Sequence, residues 1–300
     1  MVKINKVSYG GWSECLQLTN GEVEAIVTTM VGPRIIRYGF CGGENMLHEI
    51  SEHLGDTNSE KWLMYGGHRL WHSPQVGTRP NEPDNKPIKY EIRGAKVYLD
   101  QGIETLAKIG KKMEIEMHSD GSLTVTHSMC NYNAWPVELS IWPLTVMSQG
   151  GVAVVPIPQN NTRSMPNCTI ARWPFTKLND KRLTFYEKYM TLRQDTSNKD
   201  IFKIGYLNVD GWGAYFNKGM AFIKKADHIA NAVYPDCGSS YELYTDAVIL
   251  EVESLSPLVK LDLEETITHV ETWNLLEALP PGDNEEEISK KMDELLAKIK

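Results

Sequence analysis

Residues 112–128 read Lys112-Met113-Glu114-Ile115-Glu116-Met117-His118-Ser119-Asp120-Gly121-Ser122-Leu123-Thr124-Val125-Thr126-His127-Ser128, and they hold the most legible local pattern in the chain. Lys112 to Met117 and Leu123 to Ser128 alternate apolar and polar residues, as half-buried strands do. Between them, Ser119-Asp120-Gly121-Ser122 carries Asp-Gly at its centre, the pair that accepts the positive φ angles of a tight hairpin. Two antiparallel strands follow. The same signature recurs at Glu22 to Val27, Arg34 to Tyr38, Val137 to Met147, Val152 to Pro156 and Ile201 to Tyr206, and again at Gly213 to Asn217, Met220 to Lys224, Val248 to Glu253 and Glu264 to Trp273. Many short strands separated by turn residues predict an all-β sandwich.

Two stretches break the pattern. Thr78 to Pro87 holds three prolines among polar residues and reads as a surface loop, while Pro156 to Pro174 is a longer proline-rich excursion suited to covering a site. Neither has the composition of a domain linker, so one domain over residues 1–300 is expected. The closing segment is helical: Asp283 or Asn284 caps it, Glu285 to Glu287 complement the dipole, and Ile288, Met292, Leu295, Leu296 and Ile299 recur at helical spacing. This amphipathic helix, residues 284–299, is expected to pack on the outside of the sandwich.

Composition narrows the function. With 41% hydrophobic and 23% charged residues, the chain has the ordinary globular mix. Its 31 basic and 39 acidic residues give a net charge of −8, and the basic residues form no stripe that could track phosphates, which argues against a nucleic-acid partner. No apolar run approaches the roughly 18 residues of a membrane span, and Met1-Val2-Lys3-Ile4-Asn5-Lys6 lacks the apolar core of a secretory signal, so a cytoplasmic location is expected. Cys15, Cys41, Cys130, Cys168 and Cys237 are odd in number and scattered, without a C-x-x-C pair; they read as reduced thiols, mostly buried. Phosphate-loop, dinucleotide-binding, nucleophile-elbow and H-E-x-x-H motifs are all missing from the sequence.

Three segments carry chemistry. Tyr65-Gly66-Gly67-His68-Arg69-Leu70-Trp71-His72-Ser73-Pro74 packs two imidazoles, a guanidinium and an indole between glycines and a proline. His68 and His72 would share a helical face for zinc, but Gly-Gly and Ser-Pro oppose a helix there, so no metal site is expected. A plainer reading makes Trp71 core and has the histidines hold a tight turn. In Asn131 to Met147, Trp135 reads as packed in a turn, whereas Trp142, just before Pro143, reads as lining a cleft on an edge or bulged strand. In Tyr234 to Pro257, which includes Asp236, strand alternation places Glu251 and Glu253 on one face. Paired carboxylates serve acid/base or sugar-binding work, although two solvated glutamates are the commoner outcome.

Taken in order, the segments resemble the galactose mutarotase-like superfamily, in a branch similar to aldose 1-epimerases. The resemblance rests on Leu18-Thr19-Asn20-Gly21-Glu22-Val23-Glu24 through Val31-Gly32-Pro33-Arg34-Ile35-Ile36 and Asn45, then Gly66 to His72, Glu251 to Pro257, and Glu271-Thr272-Trp273 after Glu264-Glu265-Thr266. It implies an antiparallel β-supersandwich whose concave face binds a pyranose without cofactor. It also implies a glutamate base, matched by Glu253, and a histidine acid. The family's histidine strand corresponds to Ile141 to Val146, where this sequence has Trp142-Pro143. One reading therefore recruits His68 or His72 as the acid, with Arg69 on sugar hydroxyls and Trp71 or Trp142 stacked on the ring, making the protein an anomer-interconverting isomerase. A second makes it a binding module for a monosaccharide or larger glycan. A third pairs Glu251 or Asp236 with Glu253 for lyase or hydrolase chemistry. Arg69, Arg34 and Lys203 would admit an anionic sugar, and His68, Arg69, Trp71 and Glu253 are expected to meet in one pocket.

Overall fold

The computed structural model describes residues 1–76, 82–160 and 162–299. Two antiparallel sheets face each other, eleven strands against ten among the described residues. The hairpin read above is present: Ile109–Met117 pairs with Leu123–Asn131, Met117 opposite Leu123, and Gly121 takes φ +84° at the turn. Its alternation decides what is buried, since Leu123, Val125, His127, Met129 and Asn131 point inward while the residues between them are partly exposed. This hairpin belongs to the ten-stranded sheet, where Thr266–Glu277 lies beside Leu123–Asn131 and Met220–Lys225 beyond it.

The eleven-stranded sheet places in succession Arg34–Phe40, His68–Ser73, Val137–Met147, Leu250–Ser254, Tyr241–Thr245, Phe202–Tyr206 and Ile170–Arg172. Strands distant in sequence thus become neighbours, and Leu144 stands between Arg69 on one side and Glu253 on the other. The main core fills the space between the sheets, with Leu70, Ile141, Leu243, Leu250 and Val252 from one facing Met113, Val125, Phe222 and Trp273 from the other. Asn284 caps the helix Glu285–Leu296 by accepting from the Glu287 amide at 3.0 Å. The helix seats Ile288, Met292 and Leu295 on the outer face of the ten-stranded sheet, and burial of such side chains stabilises by roughly 1.5–3 kcal/mol each.

Several local expectations are corrected. Val137–Met147 is central, not an edge strand. Ile141 turns both its amide and its carbonyl toward Ser256, so Pro143, two residues on, faces the same side at Ser254, the last residue of Leu250–Ser254, and its missing N–H falls at the end of that ladder. Trp135 is 64% exposed: only its carbonyl is engaged, by the Asn131 amide. Of the cysteines, only Cys15 is buried, while Cys130 and Cys168 are half-buried and Cys41 and Cys237 are exposed at turns. The first part of the Thr78 to Pro87 stretch, through residue 81, lies outside the described residues. Beyond it residues 82–87 form a loop that is exposed or partly exposed except at Asn85, which is fully buried, its amide donating to the carbonyls of Ser59 and Lys61. No helix among the described residues is long and apolar enough to cross a membrane.

Candidate functional site

The site begins with the parity of one strand. Gly66 and Gly67 both take positive φ, and a Cβ would stand 2.1 Å from the His48 carbonyl oxygen at Gly66 and 2.3 Å from that of Ile35 at Gly67. Only glycine lets the backbone pass so close. From this tight entry His68–Ser73 runs straight, so Arg69 and Trp71 face outward and His68, Leu70 and His72 face the other sheet. Cross-strand pairing extends the outward face: Trp71 opposite Trp142, Leu144 opposite Glu253, Glu253 opposite Glu242, and Glu251 opposite Tyr244, which is opposite Lys203.

Of these, Arg69, Trp71, Trp142, Leu144, Glu251, Tyr244 and Lys203 line a cavity of about 530 Å³. Trp62, Trp71, Trp142 and Trp173 wall it, Arg69, Lys203 and Glu251 lie at its base, and Asp236, Tyr244 and Asp246 complete one side. Trp173 comes from the Pro156 to Pro174 excursion, whose Ile170–Arg172 strand pairs with Phe202–Tyr206. Asp236 sits in a turn with φ 50° and accepts from the Ser73 hydroxyl at 3.2 Å. That turn rests on Gly205, where a Cβ would stand 2.5 Å from the Ser239 hydroxyl oxygen.

Two cation-centred modules hold the tryptophans. The Arg69 guanidinium lies 4.6 Å from the Trp71 ring and 5.6 Å from the Trp62 ring, with Nη2 2.9 Å from Glu251 Oε1. The Lys203 ammonium lies 4.4 Å from the Trp142 ring and 4.9 Å from the Trp173 ring, between Glu242 at 2.6 Å and Glu253 at 2.9 Å. Trp142 Nε1 donates to the same Glu253 oxygen at 2.6 Å. Desolvation alone would lower the Lys203 pKa, but Glu242 and Glu253 outweigh it and hold the ammonium above the ordinary lysine range. With two carboxyls on one ammonium, burial pushes Glu242 well above its usual range, against the pull of Lys203. Burial likewise raises Glu251, against the pull of Arg69.

Not every residue expected at the site is there. Arg69, Trp71, Trp142, Lys203 and Asp236 line the cavity. Glu253 lies under the same patch but is fully buried beneath Trp142 and Lys203, and the glutamate reaching the cavity is Glu251. Arg34 shares the outward face yet is sealed off, donating to the Gly66 carbonyl at 2.6 Å and to Asp84 at 2.7 Å. His68 and His72 point into the core, opposite to the expected convergence with Arg69, Trp71 and Glu253, because strand alternation assigns residues 68 and 72 to the face that 69 and 71 leave. His72 stands 3.6 Å from Glu104, which also pairs with Lys111 at 2.5 Å. Trp62, Trp173, Tyr244, Asp246 and Glu242 escaped the sequence reading. Glu242 and Tyr244 alternate within Tyr241-Glu242-Leu243-Tyr244-Thr245, the one signal that could have found them.

His68 belongs to a polar network between the sheets whose proton positions follow from its geometry. Lys224 donates to Thr145 Oγ1 at 3.0 Å, the Val252 carbonyl at 3.1 Å and Glu271 at 2.7 Å. His127 Nδ1 donates to the His269 carbonyl at 3.1 Å, so its Nε2 accepts from His68 Nε2 at 2.8 Å, and His68 Nδ1 accepts from the Thr145 hydroxyl at 2.9 Å. Ser254 donates to Glu271 at 2.6 Å and therefore accepts from His269 Nε2 at 2.7 Å. Desolvation keeps the imidazoles neutral, lowering His127 to about 4, His269 to about 3 and His68 well below its ordinary value. His68, His127 and Glu271 present ligand atoms within 4.8 Å of one another, yet each donor and acceptor already has its partner and Lys224 places its ammonium on Glu271. This donor set does not fit a resident metal.

No family model matches the sequence, and no curated protein matches it. Solved structures do. A galactose mutarotase-like protein from Lactobacillus casei superposes with a TM-score of 0.57 over 87% of this chain and 100% of its own, at 10% identity. A galactose mutarotase-like protein from Clostridium acetobutylicum gives 0.54 over 92% and 99%, at 14% identity. A TPR-domain containing protein from Parabacteroides distasonis gives 0.57 at 15% identity, over 90% of this chain but 48% of its own, so the present chain spans about half of that protein. At such identities the likeness concerns architecture, and the architecture of this chain is the galactose mutarotase-like β-sandwich.

Proposed function

We propose that the cavity binds carbohydrate, holding a pyranose against its indole walls. The observation that carries this reading is the composition of one concavity: four tryptophans around Arg69, Lys203 and Glu251. The C–H face of a sugar ring stacks on indole, and its hydroxyls meet charged donors and acceptors that fix orientation. The galactose mutarotase-like neighbours support the same ligand class. An anionic sugar is disfavoured, because Arg69 and Lys203 are each committed to carboxyls and Arg34 is sealed away.

Anomer interconversion requires a base on the anomeric hydroxyl and an acid at the ring oxygen. Glu251 is the group suited to carry a proton here, since burial raises it toward the working pH and it opens onto the cavity. Glu253 then braces Trp142 and Lys203. A second reading, binding without turnover, is favoured by the lack of any imidazole among the described residues lining the cavity.

Calorimetry on a panel of aldoses and oligosaccharides measures binding, and saturation-transfer NMR on the same panel measures interconversion. Binding that is lost in Trp71→Ala supports the site. A rate above buffer that falls by roughly two to four orders of magnitude in Glu251→Gln supports the isomerase. Binding with no acceleration leaves the binding module, and a panel without a single binder overturns the carbohydrate reading.

A further inference from the structure

The cavity is short of positive charge. Its two cations, Arg69 and Lys203, face five carboxyls: Glu251, Asp236 and Asp246 on the wall, with Glu242 and Glu253 directly behind Lys203. Among the described residues Asp236 and Asp246 have no ion-pair partner; the Asp236 carboxyl accepts from the Ser73 hydroxyl, and that of Asp246 from the Tyr244 hydroxyl and the amides of Val248 and Ile249. Glu251 is 4% exposed and its Oε1 lies 2.9 Å from Arg69, its one ion-pair partner among the described residues. A nearly buried carboxyl held by a single cation, on the wall of a cavity already in negative excess, favours a ligand that brings positive charge with it.

We propose that the ligand is a cationic sugar, a glycan of 2-amino-2-deoxyhexose units with free amines, whose ring lies against the tryptophans and whose ammonium is received by Glu251 and Asp236. This rests on the carbohydrate reading and adds the charge of the substrate class. The aromatic walls serve the same end, because an ammonium beside indole faces gains from the ring quadrupole as well as from the carboxylates. The protein already places two of its own cations on these rings in this way.

The test is calorimetric titration of the whole chain at pH 6 with glucosamine oligomers, the matching N-acetylglucosamine oligomers and glucose oligomers of the same length. The proposal expects the free-amine series to bind at least tenfold tighter than either neutral series, with the gap closing at high salt or once the amines are deprotonated. Glu251→Gln should erase the tenfold preference for the free-amine series over the neutral series, and Asp236→Asn, at a partly exposed position, should reduce it should Glu251→Gln fail to fold. Neutral oligomers that bind as well as the amines overturn the proposal and leave the carbohydrate reading intact. If no oligomer binds, both fall, and if choline binds where oligomers do not, the carbohydrate reading falls with the proposal.

Discussion

Replacing Lys203 by methionine keeps the length of the side chain and removes the ammonium that pairs with both Glu242 and Glu253. Breaking a buried ion pair from one side costs about 3–5 kcal/mol, a large share of the roughly 5–15 kcal/mol that holds a domain together. The cost depends on pH in a direction fixed by the structure. Glu242 already has a folded-state pKa raised by burial, so its contribution is fully present below the ordinary carboxylate range and is lost as pH rises through the folded value. Without Lys203 the attraction that opposes burial is gone, so the Glu242 carboxyl is raised further and the folded variant holds its proton to higher pH than the folded wild type. Each such proton steepens the loss by about 1.4 kcal/mol per pH unit above the unfolded carboxylate pKa of about 4.3. Lys203→Met is therefore expected to lie close to wild type near pH 4.5 and to fall away through pH 6. Urea denaturation at half-unit pH intervals, followed by tryptophan emission, measures this directly. Stability curves for variant and wild type that run parallel across that range would refute the charge assignment of the triad.

Trp71→Ala removes one indole wall and the platform of Arg69, and should weaken carbohydrate binding by about ten- to a hundredfold in calorimetry while circular dichroism stays that of a β protein. Nitrogen-15 NMR of the imidazoles should find His127 protonated at Nδ1 and His68 and His269 at Nε2, with none of the three titrating between pH 5.5 and 8, since burial depresses all of them. His127→Phe should destabilise by about 1–3 kcal/mol through the orphaned His68 donor, leaving sugar affinity unchanged; altered affinity would tie the network to the cavity. A chelator should leave the melting temperature where it is, and a large drop would show that His68, His127 and Glu271 hold an ion after all.

The fold was legible because alternation and turn chemistry are local: Asp120-Gly121 and the strands either side of it needed no knowledge of distant neighbours. The site was legible in part. Segments rich in indole and carboxylate did come together, since Trp71, Trp142 and Glu251 each lie on strands that the sheet makes adjacent. What a single segment cannot encode is the order of strands. Trp62 and Trp173 come from stretches without periodicity, and no spacing in the sequence links them to Arg69 or Lys203. The same ignorance hid the histidine network, whose members come from six strands in two sheets.

The misplacement of the histidines has a sharper cause. In His68-Arg69-Leu70-Trp71-His72 the two parities carry rival chemistries, imidazoles on one and guanidinium with indole on the other, and a strand can offer only one of them to a cavity. Local pattern favours neither, because Leu70 is the only plainly apolar residue and it sits between them. It does, however, share the histidines' parity, so if it is core, they are core. The neighbouring strands then settle the matter: Leu250 and Val252 are core, which turns Glu251 and Glu253 outward to Arg69 and Lys203. Ionic side chains on the outward face are neutralised across the sheet, while the imidazoles of His68, His127 and His269 lose their charge to burial and are retained as neutral hydrogen-bonding groups. A site built this way draws its acid/base capacity from carboxyls alone, and any turnover it supports should follow the protonation of Glu251, not that of an imidazole.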